Sequence, residues 1–208
     1  MKVATLLLIL LLSLGSCDLF STRTPESPDT SNTFIWTPAT TMNDLMDNFI
    51  GTVQLLDASN YARVFISATD STGSGSKSFT YTPTPGLDQS SKSIFAAWNA
   101  ESERAWLAKL KTLLPANSQI SFLLSNEPPP DETSTTATIS ADYTISIPIT
   151  GSSTVIPGVV QGSFQMQLLL VTTEQGTKEW RIVSWSDFQP QSGGSGSTWT
   201  DLKIKLSS

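Results

Sequence analysis

The chain has 208 residues, a formal net charge of −6, one cysteine and no histidine. The lack of histidine excludes Ser-His-Asp and Cys-His catalysis and every metal site that needs an imidazole ligand. The acidic balance argues against nucleic acid as a partner, because binding to phosphates requires a basic surface.

The first residues have the three parts of a secretory signal: Lys2, an apolar run over 3–12, and small residues after it. A helix needs about 20 apolar residues to span a bilayer, so this shorter run predicts a cleaved signal. The run ends in Leu14-Gly15-Ser16-Cys17, which resembles the lipobox of bacterial lipoproteins. That resemblance implies removal of residues 1–16 and attachment of diacylglycerol to the Cys17 thiol, with a further acyl chain such as palmitate on the new amine.

The alternative is ordinary signal cleavage that leaves a free thiol at Cys17. Two or more acyl chains make anchoring effectively permanent, so we expect the protein in a bacterial cell envelope, held to a membrane by lipid. Inner and outer membrane both stay open. Residues 17–39 are predicted to be a polar tether and residues 40–208 a single domain. Within the tether, Phe34, Ile35 and Trp36 are expected to pack onto the domain, with docking of a partner as the alternative.

Amphipathic patterns predict three helices in the first half of the chain. The first begins after Thr41, which can cap it, and buries an apolar face of Leu45, Met46, Phe49, Ile50, Val53 and Leu56. A second is expected from about Asn60 to Ile66, with Ser59 as its cap. The third runs from Asn99 to about Leu114 with Glu103 in its first turn, where a carboxylate favours the helix dipole. Its predicted buried stripe is Trp106, Leu107, Leu110, Leu113 and Leu114.

Strand patterns follow. A short strand is expected at 79–82, and the run 136–147 alternates without a break between apolar and polar residues. Its apolar face holds Ala137, Ile139, Ala141, Tyr143, Ile145 and Ile147, and the next strand continues both faces. The last strand is expected from Glu179 to Trp185. Helices followed by an antiparallel meander indicate an α+β fold.

The order of these elements resembles the nuclear-transport-factor-2-like superfamily, the cystatin-like cone that includes ketosteroid-isomerase and polyketide-cyclase relatives. The resemblance covers about residues 40 to 206. It is carried by Asp57–Tyr61 between the first two helices, Phe79-Thr80-Tyr81, Trp98 ahead of the third helix, and the endings Trp180–Asp187 and Thr198–Lys203. It implies helices packed in a curved antiparallel sheet that leaves a pocket at its wide end.

Six aromatic residues are candidate liners of that pocket: Tyr81, Trp98, Trp106, Tyr143, Phe164 and Trp180. The alternative is that they simply fill the core. No catalytic residue, metal or cofactor is assigned, and Asp187 is interpreted as a surface acid after the last strand. We expect a non-catalytic envelope lipoprotein that binds a small apolar ligand or a protein partner. The alternative is an isomerase- or cyclase-like enzyme that uses an Asp and a Tyr in the pocket.

The polar face of the sheet is predicted to be rich in hydroxyl and amide groups: Thr136, Thr138, Ser140, Thr144, Ser146, Gln161, Ser163, Gln165 and Gln167, with Asp142 as the charged member. It is either a solvated face or the interface of a homodimer. A carbohydrate or peptidoglycan platform is disfavoured because the face lacks stacking aromatics. After a Gly/Ser-rich loop at 192–197, Thr198 is expected to cap a short helix that carries Trp199 and Leu202 back onto the domain.

Overall fold

The computed structural model describes residues 34–72, 77–149, 156–190 and 196–207. The predicted signal, Cys17 and the tether up to Thr33 lie outside the described residues, as do residues 73–76 and residues 192–195 of the Gly/Ser-rich loop. The elements in chain order are α1 (Met42–Gln54), α2 (Ala58–Ala62), β1 (Thr80–Thr82), α3 (Gln89–Ile94), α4 (Ala100–Leu113), β2 (Ser121–Ser125), β3 (Asp131–Glu132), β4 (Thr136–Ser146), β5 (Val159–Thr172), β6 (Lys178–Phe188) and α5 (Trp199–Ser207). None of the helices in these described ranges is long and apolar enough to cross a membrane.

Helix α1 begins as predicted, with a capping box. The Asp44 N–H donates to Thr41 Oγ1 at 3.1 Å, and the Thr41 N–H donates to the Asp44 carboxylate at 2.9 Å. The helix buries Leu45, Phe49 and Val53, one turn apart on a single face. These contacts fix both the start of the helix and the face that it turns to the core.

The segment ahead of α1 agrees with the prediction at two of its three apolar residues. Phe34 packs so closely on Gly51 that a Cβ there would lie 2.4 Å from Phe34 Cε2. Trp36 lies under the Arg63 guanidinium, 4.0 Å from ring centroid to Cζ. Ile35 is 85% exposed, so the prediction that it packs on the domain is wrong. Successive side chains of an extended segment point to opposite sides, which turns Ile35 outward.

Helix α2 differs from its prediction in position and cap. It begins at Ala58 and is capped by Asp57, whose carboxylate accepts from the Asn60 N–H at 3.0 Å. Ser59 is therefore inside the helix. The chain turns sharply just before Asp57, with Leu56 at φ 53°, which leaves Asp57 as the first residue able to cap.

Helix α4 follows the predicted cap at Asn99 and buries Trp106, Leu107 and Leu110. One residue corrects the prediction, since Leu113 is 47% exposed. Glu103 lies in the first turn as predicted, and its side chain is fully buried there. Helix α3 was not predicted. None of its residues is buried, so it has no apolar period for the sequence to reveal.

The sheet has the order β1-β6-β5-β4-β2, and β3 also pairs with β4. All pairs are antiparallel except β1 with β6. Strands β2 and β3 share the edge of β4 that faces away from β5: β2 pairs with residues 142–146 and β3 with residues 137 and 138. Neither strand pairs with Ile139, Ser140 or Ala141, so this edge of the sheet has a gap at these three residues. The chain that connects β2 to β3 runs past the gap.

The two faces predicted for β4 and β5 are confirmed. Ala141 lies opposite Phe164 on the inner face, and Asp142 lies opposite Ser163 on the outer face. Strand β6 is longer than predicted and has a bulge at Val183, since Ser184 pairs with Gln167 and Ile182 with Leu168. Beyond the bulge, Trp185 and Asp187 share the inner face, so the interpretation of Asp187 as a surface acid is wrong.

Helix α5 forms as predicted after Thr198, whose N–H donates to the Asp201 carboxylate at 2.8 Å. It buries Trp199, Thr200, Leu202, Lys203 and Leu206, and the Trp199 ring lies 4.6 Å from that of Trp185 on the inner face of the sheet. The α+β prediction, with helices packed on a curved, largely antiparallel sheet, is confirmed. Helix α5 fills space between the helices and the sheet.

Candidate functional site

The interior of the domain is built around two side chains of α5. The Trp199 ring contacts those of Phe122, Tyr143 and Trp106 at centroid distances of 5.3, 5.6 and 5.8 Å. One turn later, Lys203 enters the same space with its whole side chain buried. Because residues four apart lie on one face of a helix, a single helix face delivers both an indole and an ammonium to the interior.

Glu103 of α4 is the counter-ion of Lys203. The Lys203 ammonium donates to Glu103 Oε1 at 2.5 Å, and Trp98 Nε1 donates to the same oxygen at 2.7 Å. The second oxygen, Oε2, accepts from the Tyr61 hydroxyl at 3.0 Å. Both oxygens therefore have donors, which compensates the burial of the carboxylate.

Aromatic rings surround the Lys203 ammonium on its other sides. Its Nζ lies 3.5 Å from the centroid of Tyr81 and 4.2 Å from that of Trp185. The rings of Trp98, Trp106 and Trp199 are within 6.0 Å. Their electron-rich faces attract the cation where water is excluded, so the interior is a cage that the chain fills with its own lysine.

Asp187 is the second buried carboxylate, and four donors satisfy it. Oδ1 accepts from the Tyr143 hydroxyl at 2.7 Å. Oδ2 accepts from the Thr84 hydroxyl at 3.0 Å, and from the N–H and hydroxyl of Thr200 at 2.8 and 2.6 Å. The Tyr143 hydroxyl in turn accepts from the Trp199 N–H at 2.8 Å. Asp187 thus binds the first turn of α5 to the sheet, close to the positive end of the helix.

The pKa values of these groups are shifted mainly by burial. Burial lowers the pKa of Lys203 to about 8, against the opposing effect of Glu103. It raises the pKa of Asp187, although the hydrogen bonds from Thr200 and Tyr143 act the other way. It also raises the pKa of Tyr143 and of Tyr81. Shifted acids next to tyrosines are typical of catalytic sites, but here the lone pairs and protons are engaged within the chain.

Four of the six predicted pocket residues contact side chains of α5, and Phe164 packs on one of these four. Tyr81, Trp98 and Trp106 face Lys203, while Tyr143 and Phe164 stack with centroids 6.4 Å apart beside Trp199. Trp180 lies toward the other end of β6, where its N–H donates to the Ala39 carbonyl at 2.8 Å. The space that Tyr81, Trp98, Trp106 and Tyr143 enclose is occupied by α5, and contact of any of the six residues with a ligand stays a prediction.

The charged residues of this interior were missed by sequence reasoning, although a signal existed for each. Glu103 precedes Trp106, Leu107 and Leu110 by three, four and seven residues, which places it on their stripe. Lys203 follows Trp199 by four residues, and Asp187 follows Trp185 by two, which is the period of a strand. In each case the residue type suggested exposure, and the position on the apolar face was the better guide.

An apolar pocket of about 280 Å³ lies inside the gap in the sheet edge. Its apolar liners come from α1, β2, β4, β5 and the proline loop at 128–130: Met42, Met46, Leu124, Pro128, Pro129, Pro130, Ile139, Ala141 and Phe164. Phe164 is the predicted pocket residue that lines it. Across the described ranges, no three His, Cys, Asp or Glu side chains come together in a way that could hold a metal ion.

The sequence matches no protein-family model, and no curated protein matches it significantly. Among solved structures, the chain is similar to a candidate aromatic ring hydroxylase from Novosphingobium aromaticivorans, with 16% identity, coverage of 78% of this chain and 93% of that one, and a TM-score of 0.48. A candidate scytalone dehydratase from the same organism has 13% identity, coverage of 70% and 79%, and a TM-score of 0.48. An NTF2-like protein from Cytophaga hutchinsonii has 10% identity, coverage of 71% and 94%, and a TM-score of 0.45.

Proposed function

We propose that this protein is a lipid-anchored component of a bacterial cell envelope whose domain binds a small apolar ligand and performs no chemistry. The observation that carries the binding role is the pocket of about 280 Å³ behind the gap in the sheet edge. Its volume is close to the lower end of the range for small-molecule sites, and its lining is mostly apolar. Two methionines on α1, Met42 and Met46, give it an adaptable wall.

The arrangement of the buried acids argues against the enzyme alternative. Asp187 and Tyr143 have the pairing that an isomerase-like site would use, but the first turn of α5 covers them and donates to both. Glu103 is held by Lys203, Trp98 and Tyr61. A general base must reach the proton that it abstracts, and these carboxylates are enclosed by side chains of the same molecule.

The binding role is tested with the fluorescent apolar probe N-phenyl-1-naphthylamine. We expect the full chain to bind it, and Met46→Glu to weaken binding by about tenfold or more, because a carboxylate in an apolar pocket costs well over 1 kcal/mol. Leu123→Glu is the matched control, since Leu123 is 63% exposed on the outer face and does not line the pocket. If Met46→Glu and Leu123→Glu bind the probe equally well, this pocket is not the site that binds the apolar ligand.

The anchor is tested separately by metabolic labelling with palmitate in a bacterial host. Cys17 is the chain's one cysteine, so Cys17→Ser should abolish the label. A wild-type chain that takes up no label would overturn the anchor and leave the ligand-binding role standing.

A further inference from the structure

A wide groove of about 800 Å³, with both polar and apolar side chains in its lining, lies outside the same gap in the sheet edge. Its floor is the outer face of β4, β5 and β6, and one wall is the chain that follows β2. The residues that line it are Asn126, Glu127, Pro128, Ser140, Ala141, Asp142, Ser163, Phe164, Gln165, Phe188 and Gln189.

The groove contains an aromatic side chain that the sequence did not place there. Phe188 is 39% exposed, and the register sets it opposite Ser163, which in turn lies opposite Asp142. The expectation that this face lacks a stacking aromatic is therefore wrong, because β6 continues three residues beyond its predicted end. An exposed ring next to hydrogen-bonding side chains can stack on the C–H face of a sugar ring.

Asn126 is held toward the groove in a conformation that costs energy. Its φ is 52°, in the left-handed region, and its side-chain amide donates to Asp142 Oδ2 at 2.6 Å. The pair offers adjacent donor and acceptor atoms, which is what a pair of neighbouring hydroxyl groups on a ligand requires.

The charges of the lining select the ligand class. Asp142 and Glu127 carry negative charge, and the remaining polar liners are serine hydroxyls and side-chain amides. No cationic residue is among these liners, so a phosphate or carboxylate head group would be repelled. Hydroxyl groups, which both donate and accept, are the complement of such a lining.

The groove and the apolar pocket adjoin each other at the gap. Five residues line both of them: Glu127, Pro128, Ser140, Ala141 and Phe164. We propose that the two together bind an uncharged glycoside with an apolar chain. The chain lies in the pocket, the sugar stacks on Phe188, and sugar hydroxyls bond to Asp142, Asn126 and Gln165. The inference rests on the proposed function, because the pocket holds the apolar part of the ligand.

The experiment compares n-hexyl-β-D-glucoside with its separate halves, 1-hexanol and glucose, by isothermal titration calorimetry. The protein is the full chain with Cys17→Ser, so that acyl chains do not compete. We expect the glucoside to bind at least tenfold more tightly than hexanol, and glucose to bind more weakly than either.

Variants assign the sugar contacts. Phe188→Ala and Gln165→Ala should each weaken the glucoside about three- to tenfold, the fold-change expected for loss of one stacking or hydrogen-bond contact, and leave hexanol unchanged. Gln167→Ala is the matched control, since Gln167 is exposed on the same face of the same strand but does not line the groove.

Two results would overturn the inference alone: equal affinity for glucoside and hexanol, or a glucoside affinity that Phe188→Ala and Gln165→Ala leave unchanged. In either case, the proposed binding of an apolar ligand would still stand if the protein binds hexanol and Met46→Glu abolishes that binding. A chain that binds neither compound would overturn both proposals. A dimer in solution that buries Phe188 and excludes the glucoside would overturn the sugar site as well.

Discussion

A lysine whose whole side chain is buried needs compensation for the water that its ammonium loses, and here one carboxylate and several aromatic faces supply it. Glu103 carries the opposite charge, and the Tyr81 and Trp185 rings lie within 4.2 Å of the ammonium. Removing one partner of such a pair is costly because it leaves the other charge buried alone, whereas replacing both together costs far less.

We therefore predict that Lys203→Met lowers the free energy of unfolding by about 3–5 kcal/mol, measured by urea denaturation. The double variant Lys203→Met, Glu103→Gln should recover most of that loss, because the remaining groups at the site are uncharged. Lys205→Met is the control, since Lys205 is exposed on the same helix and should change stability by less than about 0.5 kcal/mol. If Lys203→Met lowers the free energy of unfolding no more than Lys205→Met does, the Lys203–Glu103 pair does not stabilise the fold.

The lowered pKa of Lys203 predicts an unusual pH dependence of stability. The pKa is about 8 in the folded chain and 10.5 for an ordinary lysine. Between these values the unfolded chain holds more protons than the folded chain, so the free energy of unfolding rises with pH. We expect a rise of about 1 kcal/mol between pH 8 and 9, before the tyrosines of the unfolded chain begin to ionise, and a nearly flat profile over the same range in Lys203→Met.

Above pH 10 this trend should reverse, so that the free energy of unfolding, measured by urea denaturation at each pH, falls as the pH rises. Burial raises the pKa of Tyr61, Tyr81 and Tyr143 above the ordinary value of 10.0, so the unfolded chain loses these protons first and becomes favoured. A wild-type stability that falls steadily from pH 8 would show that the ammonium is not destabilised by its site.

The Tyr143 hydroxyl connects the sheet to α5, since it donates to Asp187 and accepts from the Trp199 N–H. We predict that Tyr143→Phe destabilises the fold by about 1–3 kcal/mol, because it leaves one buried donor and one carboxylate oxygen short of a partner. Thermal unfolding followed by near-ultraviolet circular dichroism would measure it. An unchanged melting temperature would mean that water replaces both contacts.

At the scale of elements, β6 shows what the sequence could and could not predict. Its alternation locates a strand, but the bulge at Val183 changes which residues face inward, and a bulge depends on the partner strand as much as on β6. The predicted end at Trp185 was also three residues too early, which missed both Asp187 in the interior and Phe188 in the groove. The polar faces of β4 and of β5 as far as Gln167 were predicted correctly, because the period of two is unbroken over those residues.

Strand β5 carries a glycine that the Tyr143 contact requires. A Cβ on Gly162 would lie 2.4 Å from the Tyr143 hydroxyl oxygen and 2.6 Å from the Phe188 carbonyl oxygen. Real Cβ atoms do not approach so closely, so Gly162→Ala must displace Tyr143 or bend β6 away.

We predict that Gly162→Ala lowers the free energy of unfolding by about 1–3 kcal/mol. Gly158→Ala is the matched control near the start of the same strand, because a Cβ there would meet only Ile149 Cδ1, at an ordinary 3.7 Å. Urea denaturation of the two variants gives the comparison. Equal stability would show that Tyr143 can move without loss.

At the scale of the whole molecule, the helices and the long strands follow from local patterns, whereas the content of the interior does not. Helix periods and caps place α1 and α4, and alternation places β4 and β5. That α5 would enter the space between helices and sheet depends on contacts between residues a hundred or more positions apart, such as Lys203 with Glu103 and Tyr81 with Thr200. The sequence suggested only that the C-terminal segment docks.

The number of α5 side chains that are buried in the core predicts the effect of deleting this helix. Helix α5 contributes Trp199, Leu202 and Leu206 to the core, each worth about 2–5 kcal/mol when its side chain is lost. Their removal would also leave Glu103 without its counter-ion and Asp187 without the Thr200 donors. The summed loss is comparable to the whole stability of an ordinary domain, about 5–15 kcal/mol.

A chain that stops at Gly196 should therefore keep far-ultraviolet circular dichroism but lose its near-ultraviolet signal and its cooperative thermal transition, and it should bind anilinonaphthalene sulfonate. A chain that stops at Leu206 is the control, because it keeps every buried side chain of α5. A cooperative transition in the shorter chain would mean instead that the helices and sheet close without α5. The aromatic cage around Glu103 would then be an open cation site, and binding of alkylammonium ions to the shorter chain but not to the control would identify it.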